Sequence, residues 1–445
     1  MNRTSWLSSI PTHWTVRRAA HVIDMDVGGT PSTSRPEYFD GDIPWLTIAD
    51  MTSESITRCE KYLSRTGVEA GRIPWSRKGD LLYSFKLSIG KIAFTKIDLV
   101  TNEAIASIHS SSRIDLRYAY WMLPLAYEAA ASRNIYGSPI LNQQQLRAAR
   151  LPMPPLSEQQ QIADYLDHET AEIDAFIADL RGAGELRKER WRSGRDRALA
   201  FGVSGDGGRT RKSAIWFDVQ CGDWSEGPLK RLFDITLGKM LDEKQHVETA
   251  ERHPYIRAGN IQDGLLELKD VNTMPFTPEE QAKFSLREMD LLVVEGGSVG
   301  TNVVLNQDLP GMYFQKTVNR MRPRLGASSY YYSEVLNAYR DRGVFNVVAN
   351  KSTIQHLTAD KLANLEVPIP PVHEQHEIAD ALSKSREKVA SVGLDIAQAI
   401  DLARERRAAL ITAAVTGQID VTAKNKPAAE QLEDDIAQGL HREHA

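Results

Sequence analysis

Two stretches of this chain repeat one another. Leu151-Pro152-Met153-Pro154-Pro155-Leu156-Ser157-Glu158-Gln159 returns 216 residues later as Val367-Pro368-Ile369-Pro370-Pro371-Val372-His373-Glu374-Gln375. Ile162-Ala163-Asp164 and Leu166 return as Ile378-Ala379-Asp380 and Leu382. Upstream, a weaker match runs at an offset of 210. Trp14 pairs with Trp224, Gly28 with Gly238, Pro44-Trp45-Leu46 with Pro254-Tyr255-Ile256, Asp50 with Asn260, Asp80-Leu81-Leu82 with Asp290-Leu291-Leu292, and Gly90 with Gly300. Such a period is far too long for a solenoid. The chain is an A–B–A′–B′ duplication, and it predicts a pseudo-two-fold molecule.

The B segments read as long helices. Pro-x-Pro-Pro cannot be helical and forces an extended lead-in. Ser157 then reads as an N-cap, with Gln160 completing a capping box. Ile162, Leu166, Glu169, Ile173, Phe176 and Leu180 step by four and three, a heptad seam. Ile378, Leu382, Ser385, Val389, Val392, Ile396 and Ala399 step alike, with polar Glu169 and Ser385 at equivalent places. Packing of each helix on its own domain is the other reading of one seam; two matched copies favour mutual pairing. A break is expected at Gly182-Ala183-Gly184. Phe201-Gly202-Val203-Ser204-Gly205 and Ala413-Ala414-Val415-Thr416-Gly417 read as matching helix exits, with Gly as the stop.

The A segments alternate short apolar runs with Gly, Pro, Asp and Ser. Ile43–Ile48, Asp80–Phe85 and Asp290–Val294 read as strands. Ala119–Leu123 and Tyr330–Leu336 read as short helices. The expected organisation is mixed α+β at 1–150, a helical spacer at 151–205, a second mixed region at 206–365, a second spacer at 366–420 and a frayed tail at 421–445. One short helix is expected near 428–439.

Composition narrows the function. The 42% hydrophobic and 25% charged residues exclude collagen-like and wholly disordered classes. No stretch reaches the ~18 apolar residues of a membrane span, and no secretory signal is seen; a cytoplasmic, non-membrane protein is expected. Two distant cysteines, Cys59 and Cys221, exclude a disulfide framework or a thiolate zinc site. The net charge is −5, yet residues 1–150 hold 18 Lys and Arg against 14 Asp and Glu. The segments 151–205, 215–365 and 366–445 are each net acidic.

No catalytic or metal constellation is found. Gly296-Gly297-Ser298-Val299-Gly300-Thr301 lacks the Lys of a P-loop, and His373-Glu374-Gln375-His376-Glu377 lacks the zincin histidine spacing. The loops Val27–Ser34, Ser84–Lys91 and Val294–Asn302 combine Gly with Lys, Ser, Thr and Asn. They suit close approach to phosphates and base edges, or are plain hairpin turns. Asn319-Arg320-Met321-Arg322-Pro323-Arg324 is a basic strip whose arginines share one strand face, for a polyanion or for solvent.

The duplicated (L/V)-P-x-P-P-x-x-E-Q-x-x-I-A-D segments resemble the DNA-specificity subunit of type I restriction–modification systems. Gly28-Gly29-Thr30-Pro31, Ile43-Pro44-Trp45, Gly79-Asp80-Leu81-Leu82 and Ala414-Val415-Thr416-Gly417-Gln418-Ile419-Asp420 carry the same resemblance, which covers roughly Ile10 to Asp420. It implies two pseudo-two-fold-related α+β target recognition domains separated by two long antiparallel coiled-coil helices. Each domain would read one half of a split double-stranded DNA site. Two methyltransferase subunits would dock, bringing S-adenosylmethionine, and two translocase–nuclease subunits would bring ATP and Mg. This chain would hold no cofactor and no catalytic residue.

The candidate contact set is Thr30, Ser32, Ser34, Thr47, Ser84, Lys86, Ser88 and Lys91 in the first domain. In the second it is Lys239, Arg257, Asn260, Ser298, Thr301, Asn302, Lys316 and Arg320. The second copy has Gly238-Lys239-Met240-Leu241 in place of Gly-Gly-Thr-Pro, and the first exit has Ser204-Gly205-Asp206 in place of Thr-Gly-x-Ile-Asp. A stand-alone methylase or nuclease, and a coiled-coil adaptor without a DNA role, are the alternatives. Methyl-transfer assay and gel shift separate them.

Overall fold

A computed structural model describes residues 5–7, 10–86, 88–135, 137–203, 210–212, 219–240, 250–348 and 356–421. The expected tail helix and the stretch Ser204-Gly205-Asp206 lie outside these. The chain forms two compact units, 1–180 with 398–445, and 181–397. The units therefore cut across the expected spacers: each long helix is shared between them.

In the first unit, β1 (Thr15–Arg18) opens the chain. β2 (Asp24–Val27), β3 (Leu81–Ser84) and β4 (Ile105–His109) lie in one five-stranded sheet, with β4 between β2 and β3. All its pairs are antiparallel except Ser55–Ile56 against Ile92–Thr95. A second, four-stranded sheet pairs Ile43–Leu46 in parallel with Leu99–Thr101. Helix α1 (Leu116–Ala130), N-capped by Asp115, buries Tyr118, Trp121, Met122 and Tyr127. These share one apolar core with Leu81, Tyr83 and Ile108 of the first sheet. β5 (Arg150–Met153) pairs with β1 and leads into α2 (Leu156–Phe201).

The second unit repeats the plan. β6 (Ser225–Pro228) pairs with the last strand of the unit, and β7 (Phe233–Leu237), β8 (Leu291–Val294) and β9 (Val318–Pro323) form the sheet, with β9 between β7 and β8. A three-stranded sheet again holds one parallel pair, Glu251–Ile256 with Tyr313–Phe314. Helix α3 (Ser329–Asp341) is N-capped by Ser328. β10 (Glu366–Ile369) then leads into α4 (Val372–Val415).

The repeated Glu-Gln pair locks each unit together. Gln159 is buried; its Oε1 accepts from the Asp115 backbone N–H at 2.9 Å and its Nε2 donates to the Pro154 carbonyl at 2.9 Å. Gln375 does the same with the Ser328 N–H and the Pro370 carbonyl. Each glutamine thus ties the start of the long helix to the N-cap of the preceding one. Trp14 Nε1 donates to Glu158 at 3.0 Å and Trp224 Nε1 to Glu374 at 3.1 Å. The motif is a structural joint.

Within each unit the long helices pair antiparallel. In the first, Ile162 and Leu166 share the core with Leu410, Ile411 and Val415, and Arg407 reaches Asp174 at 3.2 Å. In the second, Leu199 shares the core with Ile378 and Leu382, and the guanidinium groups of Arg195 and Arg386 each lie 5.3 Å from a Trp191 ring.

Several helical details differ from expectation. α2 begins at Leu156, because the Pro155 carbonyl takes the first backbone bonds, so Ser157 lies inside the first turn and is not the cap. No break occurs at Gly182–Gly184. Mid-helix Gly costs only about 1 kcal/mol relative to Ala, and a Cβ at Gly184 would already meet Ile396 Cδ1 at 3.8 Å. The buried seam moves one residue past Glu169 and Ser385. Thr170 is buried and Arg386 half-buried at those turns, and Ile177 is buried where Phe176 is 52% exposed. A helix with 3.6 residues per turn drifts off a strict heptad, and both copies drift alike. The exits align as Gly202 and Gly417, both at positive φ. The helices, 46 and 44 residues long, are near equals.

Candidate nucleic-acid interface

In the first unit the Gly28 loop is held against the end of Leu99–Thr101. A Cβ on Gly28 would lie 2.0 Å from the Thr101 carbonyl oxygen, so only glycine fits. Gly238 meets the Gln315 carbonyl in the same way at 2.4 Å. This shared crossing presents Thr30, Ser32 and Ser34, all exposed. Thr30 Oγ1 donates to Glu103, and Ser32 and Ser34 hydroxyls lie 2.8 Å apart. The Thr30 hydrogen bond, helped by the Lys86 charge, holds the Glu103 carboxyl below its usual range. Thr30, Glu103 and Lys86 thus form one mixed-charge exposed group. Lys86 and Ser88 are exposed on the loop after β3.

The rest of the first set is tied inward. Ser84 is fully buried; its Oγ donates to the Ser88 carbonyl and accepts from the Lys91 N–H. Lys91 Nζ donates to the Ile48 carbonyl at 3.0 Å, and Thr47 closes a capping box with Asp50. These three shape the loops and do not face outward as free contacts.

More of the second set is turned inward. Lys239, Asn260, Asn302 and Arg320 are buried. Lys239 Nζ donates to the Pro275 carbonyl and to Glu280. Asn260 bridges the backbone of Arg257, Glu267 and Asp270. Asn302 bonds Gly300, Asn337 and Ser333. Arg320 Nη1 donates to the Lys283 and Ser285 carbonyls. Two arginines of the strip are turned inward: besides Arg320, Arg322 forms a two-bond pair with Asp290, whose side chain is 0% exposed, while Arg324 stays exposed beside Asp234. Ser298 and Lys316 remain exposed; Thr301 is half-buried, 3.4 Å from Arg340, and Arg257 pairs with Asp270.

The sequence profile of the family described as type I restriction modification DNA specificity domain matches residues 11–177 and 222–398, once per copy. The chain belongs to that family.

Curated relatives agree with this membership. The chain is 29% identical over 186 residues to the MjaIX specificity subunit of Methanocaldococcus jannaschii, covering 40% of this chain and 42% of the relative. It is 21% identical over 425 residues to the MjaVIII specificity subunit of the same organism, covering 93% and 94%. It thus spans less than half of the first relative and nearly all of the second. Solved folds agree too. One chain from a study of complex assembly in a type I R-M system superposes with a TM-score of 0.65 at 16% identity, over 92% of this chain and 99% of that one. The HsdS subunit of Thermoanaerobacter tengcongensis gives 0.54 at 16%, over 92% and 98%.

One exposed residue beside Thr30 that lies outside the candidate set is Glu103. A carboxylate accepts from cytosine N4, but a lone Glu after a strand carries no local signal. His168, Glu169 and Glu172 place ligand atoms within 4.8 Å of one another on α2. They lie on open helix surface, and among the described residues no fourth ligand joins them. No helix among the described residues is long and apolar enough to cross a membrane.

Proposed function

We propose that this chain is the non-catalytic DNA sequence-specificity subunit of a type I restriction–modification complex. Each domain reads one half of a bipartite double-stranded DNA target, and the long helices set the gap. Two methyltransferase subunits dock on the chain and carry S-adenosylmethionine; two restriction subunits bring ATP and Mg; the complex works in the cytoplasm. The observation that carries this reading is the duplication itself. The Pro-Pro-x-x-Glu-Gln joints are alike in both copies, while loop residues differ: Thr30 and Lys86 stand where the second copy has Met240 and Gly296, with Ser88 kept as Ser298. One scaffold carrying two different readers has this form.

The test is a map of methylated positions in host genomic DNA before and after deletion of the gene. A two-part motif with a fixed gap, lost on deletion, is expected. Insertion of a heptad after Phe176 and after Val392 then lengthens the gap and leaves both half-sites unchanged. A contiguous motif, or one that survives deletion, overturns the reading.

A further inference from the structure

β1 and β5 form a two-stranded ribbon in the first unit, and its register sets Arg18 directly opposite Arg150. Like charges facing across a ladder destabilise it. Both side chains are exposed, and neither pairs with a carboxylate among the described residues. Arg113 and Arg147 flank them. Arg113 donates to the His21 carbonyl and Arg147 to the Met25 carbonyl, and neither pairs with a carboxylate among the described residues. Between His13 and Met25 the one acidic residue is Asp24.

The second unit has the same ribbon with the opposite sign. Arg18 and Arg150 correspond to Pro228 and Glu366, and Val16 to Glu226. The framework therefore does not need arginine here. A repulsive pair has been placed on one copy alone, in the net-basic segment 1–150 of a net-acidic chain.

We propose that Arg18 and Arg150, with Arg113 and Arg147 beside them, form a phosphate-binding surface for the backbone of double-stranded DNA. It is independent of sequence and separate from the loops that hold the candidate base readers. The inference rests on the DNA reading above. Arginine suits it because its planar fork grips phosphate by two hydrogen bonds and never deprotonates. The first domain would hold DNA by charge as well as by loop contacts, and the second by loop contacts with its partner's help.

The ribbon supplies its own control. Arg17 is exposed on the same strand but projects from the opposite face. The full chain is titrated with a fluorescent mixed-sequence duplex from 50 to 200 mM salt. R18Q/R150Q is compared with wild type, R17Q, R18K/R150K, and the helix-surface pair R187Q/R190Q. Each phosphate contact contributes about 0.9 to the slope of log affinity against log salt. The glutamine pair should lower that slope by about 1.8, an affinity loss across the salt range that is about tenfold smaller. R17Q, the lysine pair and the helix pair should keep the wild-type slope. An R18Q/R150Q slope equal to wild type overturns the inference, and loss of methyltransferase-subunit binding with that unchanged slope assigns the ribbon to an acidic protein surface instead. A slope lowered equally by the helix pair also overturns it, because net charge alone would then be the cause. Wild type that binds no duplex, alone or with methyltransferase subunits, fails the DNA reading itself and the inference with it.

Discussion

Asp80 and Asp290 stand at the same point of the two copies, at the start of β3 and of β8, and each accepts the backbone N–H three residues before it. What neutralises them differs. Asp290 is held by Arg322 through two hydrogen bonds of 2.8 and 2.7 Å. Asp80 is held by His109 Nδ1 at 2.8 Å, and His109 Nε2 lies 3.2 Å from Asp26. One copy uses a permanent cation and the other a titratable one. The duplication has kept the buried carboxylate, which shapes the turn, and left the choice of cation open.

The largest effect should come from breaking the permanent lock. Arg322→Ala leaves the fully buried Asp290 without its cation. Removing one partner of a buried pair costs about 3–5 kcal/mol. Hydrogen exchange should accelerate in β8 and β9 and stay unchanged in β3 and β4. Equal acceleration in both units would mean that the copies do not unfold independently.

That lock also shows where sequence reading stops. Duplication, proline punctuation and periodicity locate both long helices, the sheet strands and the Gly exits, because those signals are local. Arg320 and Arg322 look like a cationic strip because alternation reports a shared face and not whether that face is covered. Their partners, Lys283, Ser285 and Asp290, lie about 30 or more residues away. Lys239, Asn302 and Asn260 read as interface residues for a related reason: a polar side chain satisfied inside the fold, by the Pro275 carbonyl, by Asn337 and Ser333, or by the backbone of its own turn, looks locally like one facing solvent. The exposed loop residues Thr30, Ser32, Ser34 and Lys86 are legible because Gly and Pro mark the loop itself.

A smaller effect should come from the tryptophan joints. Trp14→Phe and Trp224→Phe each remove one indole donor to a glutamate, a loss of about 1–3 kcal/mol for a charged acceptor. Glu158 retains His13 Nε2 at 3.1 Å as a second contact. The Trp14 change should therefore be the milder of the two. Denaturant titration read by exchange in each unit checks this, and a larger loss for Trp14→Phe would show that the His13 contact does not compensate.

The smallest effect, and the one that separates the copies best, is pH dependence. Burial disfavours the His109 imidazolium, but hydrogen bonds and charge from Asp80 and Asp26 outweigh it, so its pKa lies above the ordinary value. Asp24 on β2 stands opposite His109 in the strand register. A group whose pKa is raised on folding stabilises fully below its unfolded value, about 6.5 for histidine, and that stabilisation is lost as pH rises through the folded value. The first unit should therefore weaken from about pH 6.5 upward, by about 1 kcal/mol or less because solvent screens a partly open pair, while the Arg322 lock in the second does not titrate. Exchange in β3 and β4, corrected for the intrinsic rate, should rise from pH 6 to pH 8.5 relative to β8 and β9. His109→Arg should make the first unit as flat as the second. His109→Gln should also be flat, but at the weaker, high-pH level, so a poorly folding arginine variant does not leave the question open. A wild-type profile already flat in both units would mean that His109 stays neutral between its two carboxylates and that the copies differ in sequence without differing in response.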